Sequence, residues 1–150
     1  LARNRIEAMQ TTRDIRASAD CQCGAIGITL SGAPSLQAIC ACRNCRARTG
    51  SAFGLSAYYD RSQVEQTRGV PTVYRSLSAK GRALDFRFCP TCGTSVWWEA
   101  EFLPDKIGVA GGLLEGHDFK PDGAYFCASK PDWVHFDEAI PTGRGPTTGS

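Results

Sequence analysis

Seven of the chain's eight cysteines fall into three tight groups: Cys21 with Cys23, Cys40 with Cys42 and Cys45, and Cys89 with Cys92. Thiols this close in sequence make poor disulfide partners. A bridge inside a C-x-C or C-x-x-C pair closes a tiny loop and removes little entropy from the unfolded chain. The same groups suit a soft metal ion, which must draw distant segments together and so restricts the folds available. The first twenty residues hold four Arg and no apolar run of seven, unlike a secretory leader, so reduced thiols and a cytoplasmic location are expected.

A length of 150 residues fits one hydrophobic core. Lys and Arg number 17 against 15 Asp and Glu, a formal charge of +2. That balance is too mild for a nucleic-acid footprint. No stretch approaches the eighteen apolar residues of a membrane span. Neither a nucleic acid nor a membrane is therefore an expected partner.

The hydrophobic pattern is that of short strands. Ile26, Ile28 and Leu30 alternate, as do Leu36, Ala38 and Cys40, and then Phe53, Leu55, Ala57 and Tyr59. Residues 72–77 are β-like, and Leu84, Phe86 and Phe88 run straight into Cys89. Residues 95–98, 106–109 and 125–127 read as further strands. Residues 43–50 are the best candidate for a helical turn, and no segment sustains a helical period. The expected fold is mainly β: one domain of short, mostly antiparallel strands. Residues 1–19 are polar and weakly patterned, an N-terminal extension compatible with a short frayed helix. The zinc-binding domain is expected over 20–140, followed by a flexible Pro/Thr/Gly/Ser tail over 141–150.

Phe88-Cys89-Pro90-Thr91-Cys92-Gly93 has the form of a zinc-knuckle turn, a half-site that needs two more ligands. Cys21 and Cys23 can supply them if a kink at Gly24 brings their sulfurs to about 3.8 Å, the separation set by Zn–S bonds of ~2.3 Å at a tetrahedral angle. Such a four-thiolate site is saturated and structural. Cys40, Cys42 and Cys45 leave three thiolates together, which with an open fourth position describes a catalytic zinc. A second closed site is the alternative, with Cys127, His117 or His135 as the fourth ligand. Spacing alone does not fix which half-sites combine. Cys127, beside Tyr125 and Phe126, otherwise reads as a small buried hydrophobe. Arg43, Arg46 and Arg48 crowd the three-cysteine group, either as a solvated basic turn or as forks for an anionic substrate. Trp97 and Trp98 are expected to split between core and surface, with one of them available to a cavity wall, and Trp133 is expected in the core.

The order C-x-C-G, C-x-C-x-x-C-R and F-C-x-x-C-G-T resembles the glutathione-dependent formaldehyde-activating enzyme family, which includes centromere protein V. It is carried here by Cys21–Gly24, Cys40–Arg46 with Gly50, and Phe88–Thr94, with a weaker match at Ser129-Lys130-Pro131-Asp132-Trp133. The resemblance implies an Mss-four-like β fold, a structural zinc on Cys21, Cys23, Cys89 and Cys92, and a catalytic zinc on Cys40, Cys42 and Cys45. It also implies a carbon–sulfur lyase that joins glutathione and formaldehyde into S-hydroxymethylglutathione, or handles a related thiol adduct. The rival function is a non-enzymatic zinc module with a closed second site. Tyr58, Tyr59 and Glu99 are candidates for the group that protonates the oxyanion. Two positions depart from the family pattern: Ala41 stands where a His is usual, and Ala124-Tyr125-Phe126 where H-x-W is common.

Overall fold

A computed structural model describes residues 15–78 and 80–143. In chain order the elements are β1 (Arg16–Asp20), β2 (Gly27–Ser31), β3 (Leu36–Cys40), α1 (Arg43–Thr49), β4 (Gly54–Asp60), β5 (Val64–Arg68), β6 (Thr72–Leu77), β7 (Ala83–Phe88), β8 (Ser95–Ala100), β9 (Lys106–Ala110), β10 (Leu114–Glu115), β11 (Gly123–Tyr125) and β12 (Thr142–Gly143). They form a four-stranded sheet, β10-β1-β2-β5, and an eight-stranded sheet, β12-β11-β3-β4-β9-β8-β7-β6. Pairing is antiparallel except where β11 runs parallel to β3 and to β12. The fold is mainly β, as the short alternating runs require.

The core lies between the two sheets. Ala17, Ala19, Ile28 and Leu30 from the small sheet, with Ile26 of its β1–β2 turn, meet Ala57, Tyr59, Val96, Trp97, Ile107 and Val109 from the large one. Burial of this kind contributes roughly 1.5–3 kcal/mol for each large side chain. Strand alternation then sends Ser56, Tyr58 and Trp98 to the other face of the large sheet. On β8 the register shifts: Phe88 pairs with Ser95 but Arg87 with Trp97. The extra residue is Val96, and this bulge lets Val96 and Trp97 both join the core before Trp98 turns away.

Several sequence expectations are corrected here. The extension drawn over 1–19 ends in a central strand, β1, whose Ala17 and Ala19 are buried in the core. Their short side chains gave too weak an apolar signal. Residues 1–14, and with them most of the frayed-helix reading, lie outside the described residues. The tail drawn from 141 begins with β12, paired to β11, while 144–150 lie outside the described residues. The strand expected over 125–127 is shifted to Gly123–Tyr125, and Cys127 opens a 3-10 turn. Trp133 is 75% exposed rather than core: in the irregular chain after β11 it is the next residue, Val134, that turns inward and is buried.

Candidate functional site

Two hairpin tips, one from each sheet, carry the four-cysteine cluster. Cys21 and Cys23 lie between β1 and β2, and Cys89 and Cys92 between β7 and β8. All four sulfurs lie within 4.8 Å of one another. Cys21 and Cys23 are 3.7 Å apart, and Cys23 and Cys89 are 3.6 Å apart. Those spacings fit the ~3.8 Å of a tetrahedral tetrathiolate zinc, so the donor set fits the ion. The kink comes from turns closed by Gly24 and Gly93, at φ 77° and 76°. These are left-handed conformations that a Cβ would strain. The Ile26 N–H donates to the Cys21 sulfur at 3.3 Å. Hydrogen bonds from the Thr94 hydroxyl and backbone draw the Cys92 thiol down to about 5. Cys21 and Cys89 are buried, so the cluster is part of the core's edge.

The three-cysteine cluster is built at the edge of α1. Cys40 is the last residue of β3, Cys42 is the N-cap of α1, and Cys45 lies in its first turn. Residues three apart at a helix start share one side, and the Cys45 N–H donates to the Cys42 sulfur at 3.4 Å. Gly50 ends the helix at φ 64°. The Cys40 thiol, then the Cys45 thiol, stabilise a thiolate at Cys42 and lower its pKa, while sharing with Cys42 raises that of Cys40. Among the described residues no other Cys, His, Asp or Glu joins this group. Cys127 is elsewhere, only half-buried. The His117 ring is engaged by Gln37 Oε1 at 3.0 Å. The set fits a soft ion with three protein ligands and leaves a fourth position without a protein ligand.

The three thiols open onto a cavity of about 310 Å³ between α1 and the outer face of the large sheet. Ser56 and Tyr58 of β4, Phe86 of β7 and Trp98 of β8 form its sheet wall, and Phe102 and Phe126 close it from loops. Gly108 shapes the wall by having no side chain: a Cβ there would lie 2.1 Å from Trp98 Nε1. The indole therefore lies across β9 and reaches towards Tyr58, with ring centroids 6.4 Å apart at 86°. Burial raises the Tyr58 pKa, while interactions with the Trp98 and Ser56 side chains partly oppose it. Arg48 stacks over Trp98 at 4.6 Å and Phe86 at 5.6 Å, and its charge favours the thiolate of Cys45.

The model of the family described as "Glutathione-dependent formaldehyde-activating enzyme" matches residues 16–129. The chain belongs to this family. A crystal structure of a Rhodobacter sphaeroides protein is similar at a TM-score of 0.52 and 24% identity, covering 67% of this chain and 90% of that one. At that identity the likeness speaks for the fold. No curated protein matches the chain. The family's description is of glutathione-related, formaldehyde-activating function, and both cysteine clusters lie within the matched residues. The match starts at residue 16, where β1 begins. No helix among the described residues is long and apolar enough to cross a membrane.

Within this family member, the residues singled out from sequence divide clearly. Arg43 and Arg48 line the cavity. Arg46 does not line it, and its Nε is buried without a hydrogen-bond partner. Tyr58 lines the cavity, whereas Tyr59 is fully buried between the sheets. Glu99 is held by Arg61 and by Arg87 at 2.6 Å, away from the thiols. Trp98 supplies the cavity wall and Trp97 the core, yet neither is at the surface, because α1 and the loops cover the second face. Gly108 was missed. An isolated glycine inside a strand pattern signals close approach by another group, but not which group.

Proposed function

We propose that this protein is a zinc-dependent carbon–sulfur lyase of the S-hydroxymethylglutathione synthase type. It acts on the adduct of glutathione, or another thiol, with a small electrophile, in the cytoplasm where thiols stay reduced. Cys21, Cys23, Cys89 and Cys92 hold a structural zinc, and Cys40, Cys42 and Cys45 hold a catalytic one. The observation that carries this reading is a cluster of three thiols, without a fourth protein ligand among the described residues, at the floor of a cavity.

A free thiol has a pKa near ~8.5 and is mostly protonated at neutral pH; zinc, when bound, supplies the charge that keeps a substrate sulfur as thiolate. The chain's own residues do the rest. The buried Tyr58 phenol stays protonated and is placed to give a proton to the oxygen of the electrophile when the C–S bond forms, and to take it back when it breaks. Trp98 packs edge-on against the Tyr58 ring, and Ser56 lines the same cavity. Arg43 and Arg48 meet the carboxylates of glutathione with guanidinium forks. The aromatic wall excludes water from the reacting carbon. Cobalt loading tests the reading. Two metals per chain are expected, and glutathione should change the visible spectrum of one of them only. A spectrum that glutathione leaves unchanged at both sites would overturn it.

A further inference from the structure

The cavity beyond the thiols is larger and more apolar than a hydroxymethyl group needs. Resting on the lyase reading above, we propose that the electrophile carries a bulky apolar substituent, aromatic or branched. The preferred substrate is then a hemithioacetal R–CH(OH)–S with R apolar, rather than a hydroxymethyl thiol. A hydroxymethyl group adds only two heavy atoms to the sulfur. The cavity beyond the thiols is about 310 Å³, in the range of small-molecule sites. Leu84, Phe86, Trp98, Phe102 and Phe126 make its wall.

Glutathione alone does not satisfy such a wall. Its arms carry two carboxylates, an ammonium and two amides, which lose hydrogen bonds against aromatic carbon. A separate groove along α1 suits them better. Its polar lining includes Arg43, Asn44, Arg48, Tyr74 and Ser76, with Phe86 and Phe88 at one side. It shares Arg43, Asn44, Arg48, Ser76 and Phe86 with the cavity, whereas Leu84, Trp98, Phe102 and Phe126 line the cavity alone. The polar thiol arm therefore fits the groove and R fits the cavity, with the sulfur between them at the three cysteines. Phe126 adds a second observation. It is the one non-glycine among the described residues held at positive φ, 56°, and it lines this wall. An aromatic residue in that conformation is strained, and such strain collects at ligand clamps.

The reaction needs no oxidant. The C–S bond breaks and its electron pair leaves with sulfur. The hydroxyl loses its proton, C=O forms, and the products are R–CHO and the thiol. The addition runs the same path in reverse.

Binding to the zinc-loaded protein, read by calorimetry, separates this from the parent reading. S-benzylglutathione should bind about 30-fold more tightly than S-methylglutathione, from burial of the ring. Phe102→Ala, which alters the cavity and not the groove, should erase most of that gap. The hemithioacetal of glutathione with phenylacetaldehyde should show a higher kcat/KM than S-hydroxymethylglutathione, by 10-fold or more. Equal affinity for the two conjugates, or faster turnover of the hydroxymethyl compound, overturns the apolar substrate while leaving the lyase. If benzyl mercaptan binds tightly and neither conjugate does, the apolar class stands and glutathione is the wrong thiol. If none of these compounds binds or reacts, both readings fall.

Discussion

The two cysteine clusters use the same ligand chemistry in opposite structural settings. The four-cysteine cluster joins the tips of two hairpins from two different sheets, with Cys21 and Cys89 buried at the core's edge. The three-cysteine cluster is local: all its members lie within a β3–α1 corner of one sheet, and it faces a cavity. A metal in the first closes a loop of some 68 residues, so its binding energy is folding energy. A metal in the second closes almost nothing, so its binding energy is available for a ligand. Ligand count and topology thus separate the two roles assigned to them.

The sharpest break in this comparison is a matched pair of substitutions. Cys89→Ser should cost the fold several kcal/mol, about 3–5 at least, and leave an unfolded or aggregated chain in a denaturant melt. Cys42→Ser should do the reverse. Activity should fall by about 10³-fold or more, while the melt shifts by less than about 1 kcal/mol and metal analysis finds one ion per chain. If Cys42→Ser unfolds the protein as Cys89→Ser does, both clusters are structural and the catalytic assignment fails.

Much of this contrast was legible in the sequence. The C-x-C and C-x-x-C spacings marked the half-sites, though not how they combine, and Gly24, where a kink was expected, and Gly93 of the knuckle both sit at left-handed turns. The strands richest in alternating large side chains, β6 to β9, were placed to within a residue or two. β1 was hidden because its buried residues are alanines, and β5 because Val64 is the one apolar residue in VEQTR. The cavity was hidden for a different reason. Its wall draws residues from β4, β7, β8 and two loops, and no local pattern says that Trp98 crosses Gly108 towards Tyr58. Arg46 shows the same limit: its charge looked equivalent to that of Arg43 and Arg48, yet it does not line the cavity and its Nε is buried.

Tyr58 and Tyr59 repeat the comparison within one strand. Tyr58 faces the cavity and Tyr59 the core, since successive side chains of a strand point to opposite faces. Tyr58→Phe should lower kcat by about 10²–10⁴-fold, the usual size of a lost general acid, with the fold and both metals retained. Unchanged kcat would transfer the proton step to water and leave Tyr58 as wall.

Tyr59→Phe should be silent in catalysis and slightly favourable for folding. The Tyr59 hydroxyl is buried, with the residue 0% exposed, and has no hydrogen-bond partner. It has lost water without gaining a replacement, so its removal should stabilise the protein by about 1 kcal/mol at neutral pH. Burial pushes this phenol up to about 12 from an ordinary 10. The folded state therefore holds its proton where the unfolded chain releases it. The sign follows: this contribution is fully present below pH 10 and is lost as pH rises through 12, with stability falling across that window. The variant has no such group, so its advantage over the parent should widen from pH 10 to 12. Denaturant melts of the two proteins at pH 8, 10 and 11 measure the difference directly. A variant that is less stable at pH 8, or a gap that does not grow with pH, would mean that the Tyr59 hydroxyl is satisfied within the core.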